Sequence, residues 1–488
     1  MHFIDPQGQA RRAFLQRAGR LALAGVATPF GLNLAAIGEA AAFNASDYRA
    51  LVCVFLYGGN DYANTVVTYD TPSWQAYRNI RAAGPGPAGL AIEQAALAAT
   101  ALVPNAPLPA GRQYALHPVM TGMAGLFNRG QAAVMLNVGP LIRPTSKAEF
   151  LSADRARYPL PAQLMSHNDQ VSTWMSQGAE GSTEGWGGRL GDLAMANNGS
   201  AAFTCISPSG NVVFLSGRSI QQYEVSTMGA VAVMPVHEGM RGLPASPNAS
   251  SVLRELITEP RTHVLENEYN RVMRRSIDAG DLLTRGLTGV TLRTPFPPDF
   301  GGTLASQLQI VARVIAARSA LGNKRQVFMV SLGGFDLHDG LVERQPGLLG
   351  AVDEAIAAFY EATVELGVAD KVTTFTASDF GRTLTSNGNG TDHGWGAHHL
   401  VVGGAVRGKA FYGTPPPVSV GETAAPEDQW HIGQGRLLPS TSVDQYAATL
   451  GRWFGAGDSE LEGILPNLRH FGAAAGRPDY PQDLGFLG

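Results

Sequence analysis

Two cysteines in 488 residues are too few to build a disulfide scaffold. Cys53 sits inside an apolar stretch, and both cysteines are read as buried free thiols. Charge is also sparse: 16% of residues are charged and the formal net charge is −4, a weakly acidic balance that excludes a nucleic-acid partner. Beyond the N-terminal leader no stretch approaches the ~18 uninterrupted apolar residues that a membrane helix needs, so no span is expected in the mature protein. No repeat of solenoid type is visible. Against these deficits stand 44% hydrophobic residues, enough for a large core, and 59 glycines with 30 prolines, which imply many loops.

The first 42 residues read as an address. Arg11-Arg12 is followed by Ala13-Phe14-Leu15, then by the apolar run 21–37, then by Ala40-Ala41-Ala42 as an A-x-A cleavage site. This order predicts a Tat-type signal peptide over 1–42, recognition by the Tat translocon, and a periplasmic or secreted mature protein. Residues 43–488 are expected to form a single α/β domain with an insertion near 218–300.

Three apolar runs end in similar ways. Residues 50–57 run into Gly58-Gly59-Asn60-Asp61, residues 326–332 run into Gly333-Gly334-Phe335-Asp336-Leu337-His338, and residues 372–376 lead to Asp379. Continuous apolar runs of this length suit parallel strands covered on both faces. The helical patterns at 304–321 and 351–366 lie between them, giving the alternation of a mostly parallel central sheet with helices on both faces. In such a sheet the three aspartates emerge on one edge, where open α/β sheets bind ligands.

The richest stretch is 376–399, TASDFGRTLTSNGNGTDHGWGAHH. It carries Asp379, Arg382, Asp392, His393, His398 and His399, with glycines and asparagines suited to tight turns. Asp336 and His338 offer a carboxylate and an imidazole on one side of an extended segment. Asp61, Asp336, His338, Asp379, Asp392, His393 and one or both of His398 and His399 are therefore the candidate ligands of a divalent metal, one or two ions. Mixed Asp/His sets suit Zn or Mn, and carboxylate-rich sets suit Mg or Ca. Ser166 caps a helical pattern whose N-terminus favours anions, and is the candidate nucleophile. Arg382 is the candidate for holding a nonbridging ester oxygen.

The twin-arginine start, GGND (58–61), Ser166-His167, GGFDLH (333–338), SDFGR (378–382) and NGNGTDHGWGAHH (387–399) together resemble the DUF1501 proteins, a family of the alkaline phosphatase/sulfatase superfamily. The resemblance implies an alkaline phosphatase-like fold and a nucleophile at Ser166. It also implies ligands at Asp61, Asp336, His338, Asp379 and one or more of His393, His398 and His399. Phe380 stands where the superfamily carries a ligand, so Asp392 or His393 is expected to supply it. Asn60, Thr65, Thr145 and Ser146 are further candidates near the nucleophile. Neither cysteine lies in the C-x-P-x-R context that a formylglycine sulfatase requires, which puts phosphate esters ahead of sulfate esters. The expectation is an exported metal-dependent hydrolase of phosphate mono- or diesters, or related sulfate esters, on a small-molecule or polymer substrate. The alternative is a noncatalytic periplasmic or surface binding protein on the same scaffold.

Overall fold

A computed structural model describes residues 45–86, 89–231, 247–298 and 303–488. The expected signal peptide, 1–42, lies outside the described residues, as do parts of the expected insertion. Among the described residues no helix is long and apolar enough to cross a membrane.

A ten-stranded sheet forms the centre. Its strands are β1 (Arg49–Leu56), β4 (Ala132–Gly139), β5 (Cys205–Ser207), β6 (Tyr223–Ser226), β7 (Gly229–Ala230), β8 (Arg325–Leu332), β9 (Val372–Ser378), β10 (Ala397–Val402), β11 (Phe411–Tyr412) and β12 (Thr441–Ser442). The order is β11-β4-β10-β9-β1-β8-β5-β6-β7, with β12 paired to β4. A separate two-stranded ribbon joins β2 (Val66–Thr68) to β3 (Tyr114–Leu116). The central pairings β9-β1, β1-β8 and β8-β5 are parallel. Strand β10 runs antiparallel to both neighbours. Residues 379–396 contain no helix, and a parallel return would need a crossover connection, so the chain comes back antiparallel.

Strands β1 and β9 are buried along almost their whole length, as continuous Val, Leu, Phe and Thr runs require when helices cover both faces. One face packs on helices Leu304–Ala316 and Leu341–Glu365, through Val52, Val54, Leu308, Val311, Ile356 and Phe359. The other packs on helices His167–Ser176, Trp186–Ala194 and Val443–Phe454, through Cys53, Phe55, Trp174, Leu190, Phe375 and Tyr446. Cys53 and Cys205 are both free and buried, and burial pushes both thiols up.

Val213–Leu215 form a 3-10 turn whose side chains are buried under helix Trp186–Ala194. The segment expected as an insertion supplies β6 and β7 to the sheet edge, and its helix Val264–Leu287 packs against β7.

Register sets the loops side by side: Leu56 pairs with Leu332 on one flank and with Ser378 on the other. The loop after β1 passes so close to the loop after β8 that a Cβ on Gly58 would lie 2.3 Å from the Asp336 nitrogen. Gly58 also has φ +117°, so both space and conformation require glycine there.

Candidate metal centre

The loops after β8 and β9 and the start of helix His167–Ser176 bring four side chains to one point. One ligand atom from each of His167, Asp336 and His393 lies within 4.8 Å of the others. His338 joins them: its Nε2 lies 2.9 Å from His393 Nε2 and 3.1 Å from Asp336 Oδ1. His393 Nε2 is 3.2 Å from the same oxygen, and His167 Nε2 is 3.5 Å from Asp336 Oδ2.

The opposite nitrogen of each ring is committed to an acceptor. His167 Nδ1 meets Asp379 Oδ2 at 2.7 Å, His338 Nδ1 meets Asp392 Oδ1 at 3.1 Å, and His393 Nδ1 meets the Met165 carbonyl at 2.8 Å. Carbonyls and carboxylates only accept, so each Nδ1 carries a proton, and in its neutral form each ring turns an Nε2 lone pair inward. The three rings can therefore offer three lone pairs beside one carboxylate. Among the described residues the buried His167 Nε2 has no hydrogen-bond partner, with Asp336 Oδ2 standing 3.5 Å away. Such a donor set fits a divalent cation, and imidazoles held through their far nitrogen are the usual form of metal-binding histidines. Without a cation, burial would lower the His167 imidazole, but the nearby carboxylates of Asp336 and Asp379 outweigh that and push it up to about 9. Asp336 is held well below the usual carboxylate range: burial opposes this, but bonds from His167, His393 and Arg382 prevail.

Local structure explains each placement. Asp379 follows β9 directly; its Oδ1 accepts from the Gly58 N–H at 3.0 Å and its Oδ2 orients His167. Residues 379–396 fold back on themselves, with Arg382 bridged to His393 and the Thr383 N–H bonded to the Asp392 carbonyl. Asn387 clamps both the His338 carbonyl and Asp392. Phe380 packs against the rings of His167 and His393, with centroids 4.8 and 4.6 Å away, and forms an apolar wall. Side-chain exposure rises from 16% at His167 to 26% at His393, 37% at Asp336 and 44% at His338, so the cluster opens to solvent on the His338 side.

The family model described as "Protein of unknown function (DUF1501)" matches residues 271–465. Over that span the chain is similar to the DUF1501 family. The matched segment holds Asp336, His338, Asp379, Arg382, Asp392 and His393, while His167 is supplied from outside it. No curated protein matches the chain. Solved structures with some likeness include Ps i-CgsB, at 11% identity over 90% of this chain and 78% of that one, TM-score 0.35. Another comes from work on glycosaminoglycan metabolism by Bacteroides thetaiotaomicron, at 9% identity over 85% and 74%, TM-score 0.32. A third is the lipoteichoic acid synthase LtaP from Listeria monocytogenes, at 9% over 78% and 69%, TM-score 0.27. At such scores the fold of this chain rests on its own strand order.

Several expected site residues sit elsewhere. Asp61 caps helix Tyr62–Thr65 and forms a two-pronged ion pair with fully buried Arg81, at 2.8 and 2.9 Å, so its oxygens are committed to protein donors. Asp379 and Asp392 lie one step back, as acceptors for the histidines. His398 and His399 belong to β10 and point to its opposite faces. His398 Nδ1 accepts from the Asn137 N–H, and His399 packs edge-on against Trp174; burial lowers both to about 3, so both are neutral core residues. The Arg382 guanidinium is spent on Asp336, the Gly58 carbonyl and Thr391. The Ser166 hydroxyl bonds Asp169 in its own first turn, 2.9 Å away. Thr65 and Asn60 bond each other, and Ser146 caps a helix at Glu149. His167 was legible only as the neighbour of Ser166 at a helix start; nothing in the spacing marks it as a ligand. A cavity of about 30 Å³ bordered by Tyr62, Tyr114, His398 and His431 has room for little more than a water and contains none of the clustered donors.

Proposed function

We propose that this protein is an exported hydrolase of phosphate mono- or diesters, or of related sulfate esters, using one divalent cation held by His167, Asp336, His338 and His393. The observation that carries the reading is the convergence of three imidazole Nε2 atoms on one carboxylate, each ring fixed through Nδ1. Bound there, the ion would act as a Lewis acid toward an ester oxygen and an attacking water. Asp379, Asp392 and the Met165 carbonyl keep the rings in the ligand tautomer. Arg382 keeps Asp336 ionised and aimed. Phe380 excludes water from one side of the cluster. Three imidazoles with one carboxylate suit Zn or Mn better than Mg or Ca. The ester class follows from the family resemblance and from solvent access at His338. With Ser166 turned to Asp169, water is favoured over serine as the attacking group.

The twin-arginine leader supports export. One observation favours the noncatalytic alternative: among the described residues no hydroxyl nucleophile bonds to any member of the cluster, and Ser166 is turned to Asp169.

The test joins elemental analysis of purified mature protein to turnover of nitrophenyl phosphate, bis-nitrophenyl phosphate and nitrophenyl sulfate. One equivalent of zinc or manganese with turnover of at least one ester is expected. Folded protein that binds metal and turns over none of them would favour the binding-protein alternative. Folded protein that takes up no metal would sink both the ligand set and the activity. Ser166→Ala is expected to keep turnover within a few-fold.

A further inference from the structure

We infer that Arg436 is the group that recognises the negative charge of the substrate, the task expected of Arg382. This rests on the proposed metal site. Arg436 donates from Nε to the backbone carbonyl of His393 at 2.7 Å, so its side chain is anchored to a residue of the cluster. That bond uses Nε alone. Among the described residues neither terminal nitrogen has a hydrogen-bond or ion-pair partner, although the residue is half-buried. The guanidiniums of Arg382 and Arg81 are instead engaged by protein at every nitrogen: Arg382 by Asp336, Gly58 and Thr391, and Arg81 by Asp61, Asn64, Thr383 and Leu384. A guanidinium fixed at Nε presents its two remaining nitrogens as a fork, the geometry that takes two oxygens of a phosphate or sulfate.

The backbone beneath Arg436 is rigid. The Arg436 N–H bonds the Gly433 carbonyl and the Arg436 carbonyl receives the Ile432 N–H, closing a tight turn. The Gln434 carbonyl takes the N–H groups of Leu384 and Thr385, and the Leu437 carbonyl takes that of Gly396. The turn is thus pinned to both arms of the 379–396 loop. A Cβ on Gly435 would lie 2.4 Å from the Leu384 Cβ, so the turn sits directly against that loop. Arginine keeps its charge in proteins, and Asp392 favours the charged form against partial burial. With a divalent ion in place, the ion, Arg382 and Arg436 outweigh Asp336, Asp379 and Asp392, and the cluster favours an anion. The inferred ligand class is therefore a tetrahedral oxyanion ester with at least two free oxygens.

Calorimetric titration of the zinc-loaded mature protein with inorganic phosphate, and separately with sulfate, tests this. Wild type is expected to bind at least one of them. Arg436→Gln is expected to weaken that binding at least tenfold, and Arg436→Lys, which keeps charge but loses the fork, by an intermediate factor. Zinc content and thermal midpoint are to be measured for each variant. Equal anion affinity in wild type and Arg436→Gln, at equal zinc content, overturns the role of Arg436 while leaving the metal site standing. Absence of anion binding by zinc-loaded wild type overturns it as well. Failure of wild type to take up zinc refutes the underlying site instead. Should Arg436→Gln lose zinc or unfold, the Arg436→Lys arm decides: wild-type anion affinity in that variant overturns the fork.

Discussion

At the scale of single residues, Asp61 and Arg81 show how a strand-end aspartate can be mistaken for a ligand. Both side chains are essentially inaccessible, and each oxygen of Asp61 faces an Arg81 nitrogen. Removing one partner of a buried pair leaves the other charge unpaired, which costs roughly 3–5 kcal/mol. Arg81→Met is therefore expected to lower unfolding free energy by about that much in urea titrations, without changing metal stoichiometry in the protein that remains folded. A loss of bound metal with stability intact would show that Asp61 belongs to the centre after all. The sequence placed Asp61 correctly beside Asp336 and Asp379, because strand register does that. It could not show that an arginine twenty positions on would claim the carboxylate, since that depends on how helix 71–80 packs back. His167 was obscured for the converse reason: a histidine at the start of a helix has many uses, and only the approach of Asp379 assigns it one.

At the scale of elements, the loops after β8 and β9 divide their acidic residues between two tasks. Asp336 from the first loop faces the convergence point, while Asp379 and Asp392 fix ring orientation from behind. Loss of such a backing acceptor typically costs 10–100-fold in metal affinity. Asp379→Asn is expected to weaken zinc binding by roughly that factor in competition with a chromophoric chelator, whereas His398→Ala should leave it unchanged. Equal zinc affinity in wild type and Asp379→Asn would contradict the assignment. The density of ligands in the second loop was plain from the sequence; the boundary of the following strand was not. With β10 starting at Ala397, His398 and His399 fall within the strand and are directed to its two buried faces. Burial next to aromatic rings makes neutral imidazole the stable form there, a context that periodicity alone does not disclose.

At the scale of the whole molecule, the parallel order β9-β1-β8 was readable, because three long apolar runs separated by helical patterns leave few alternatives. The reversal at β10 and the edge strands β6 and β7 were not, since short strands carry weak periodic signals. The candidate centre ties separate parts of this sheet together. A ligand that binds only the folded state stabilises it by mass action, by about 2.7 kcal/mol at a hundredfold excess over its dissociation constant. Zinc is thus expected to raise the thermal midpoint of chelator-stripped protein in a concentration-dependent way, and His338→Ala to blunt that shift. An unchanged midpoint across a wide zinc range would exclude a centre that links these segments.

His167, Asp336, His338 and His393 lie far apart along the chain, and Met165, with φ +70°, holds its carbonyl out for the last of them. During synthesis the histidine at 167 emerges well before the others, and no complete donor set exists until residue 393 has left the ribosome. Even then the set must wait for β9 to dock beside β1. Uptake of an ion by the proposed centre would consequently be a late event in the life of each molecule, and truncated chains that end before the 379–396 loop would lack His393 and the backing carboxylates Asp379 and Asp392.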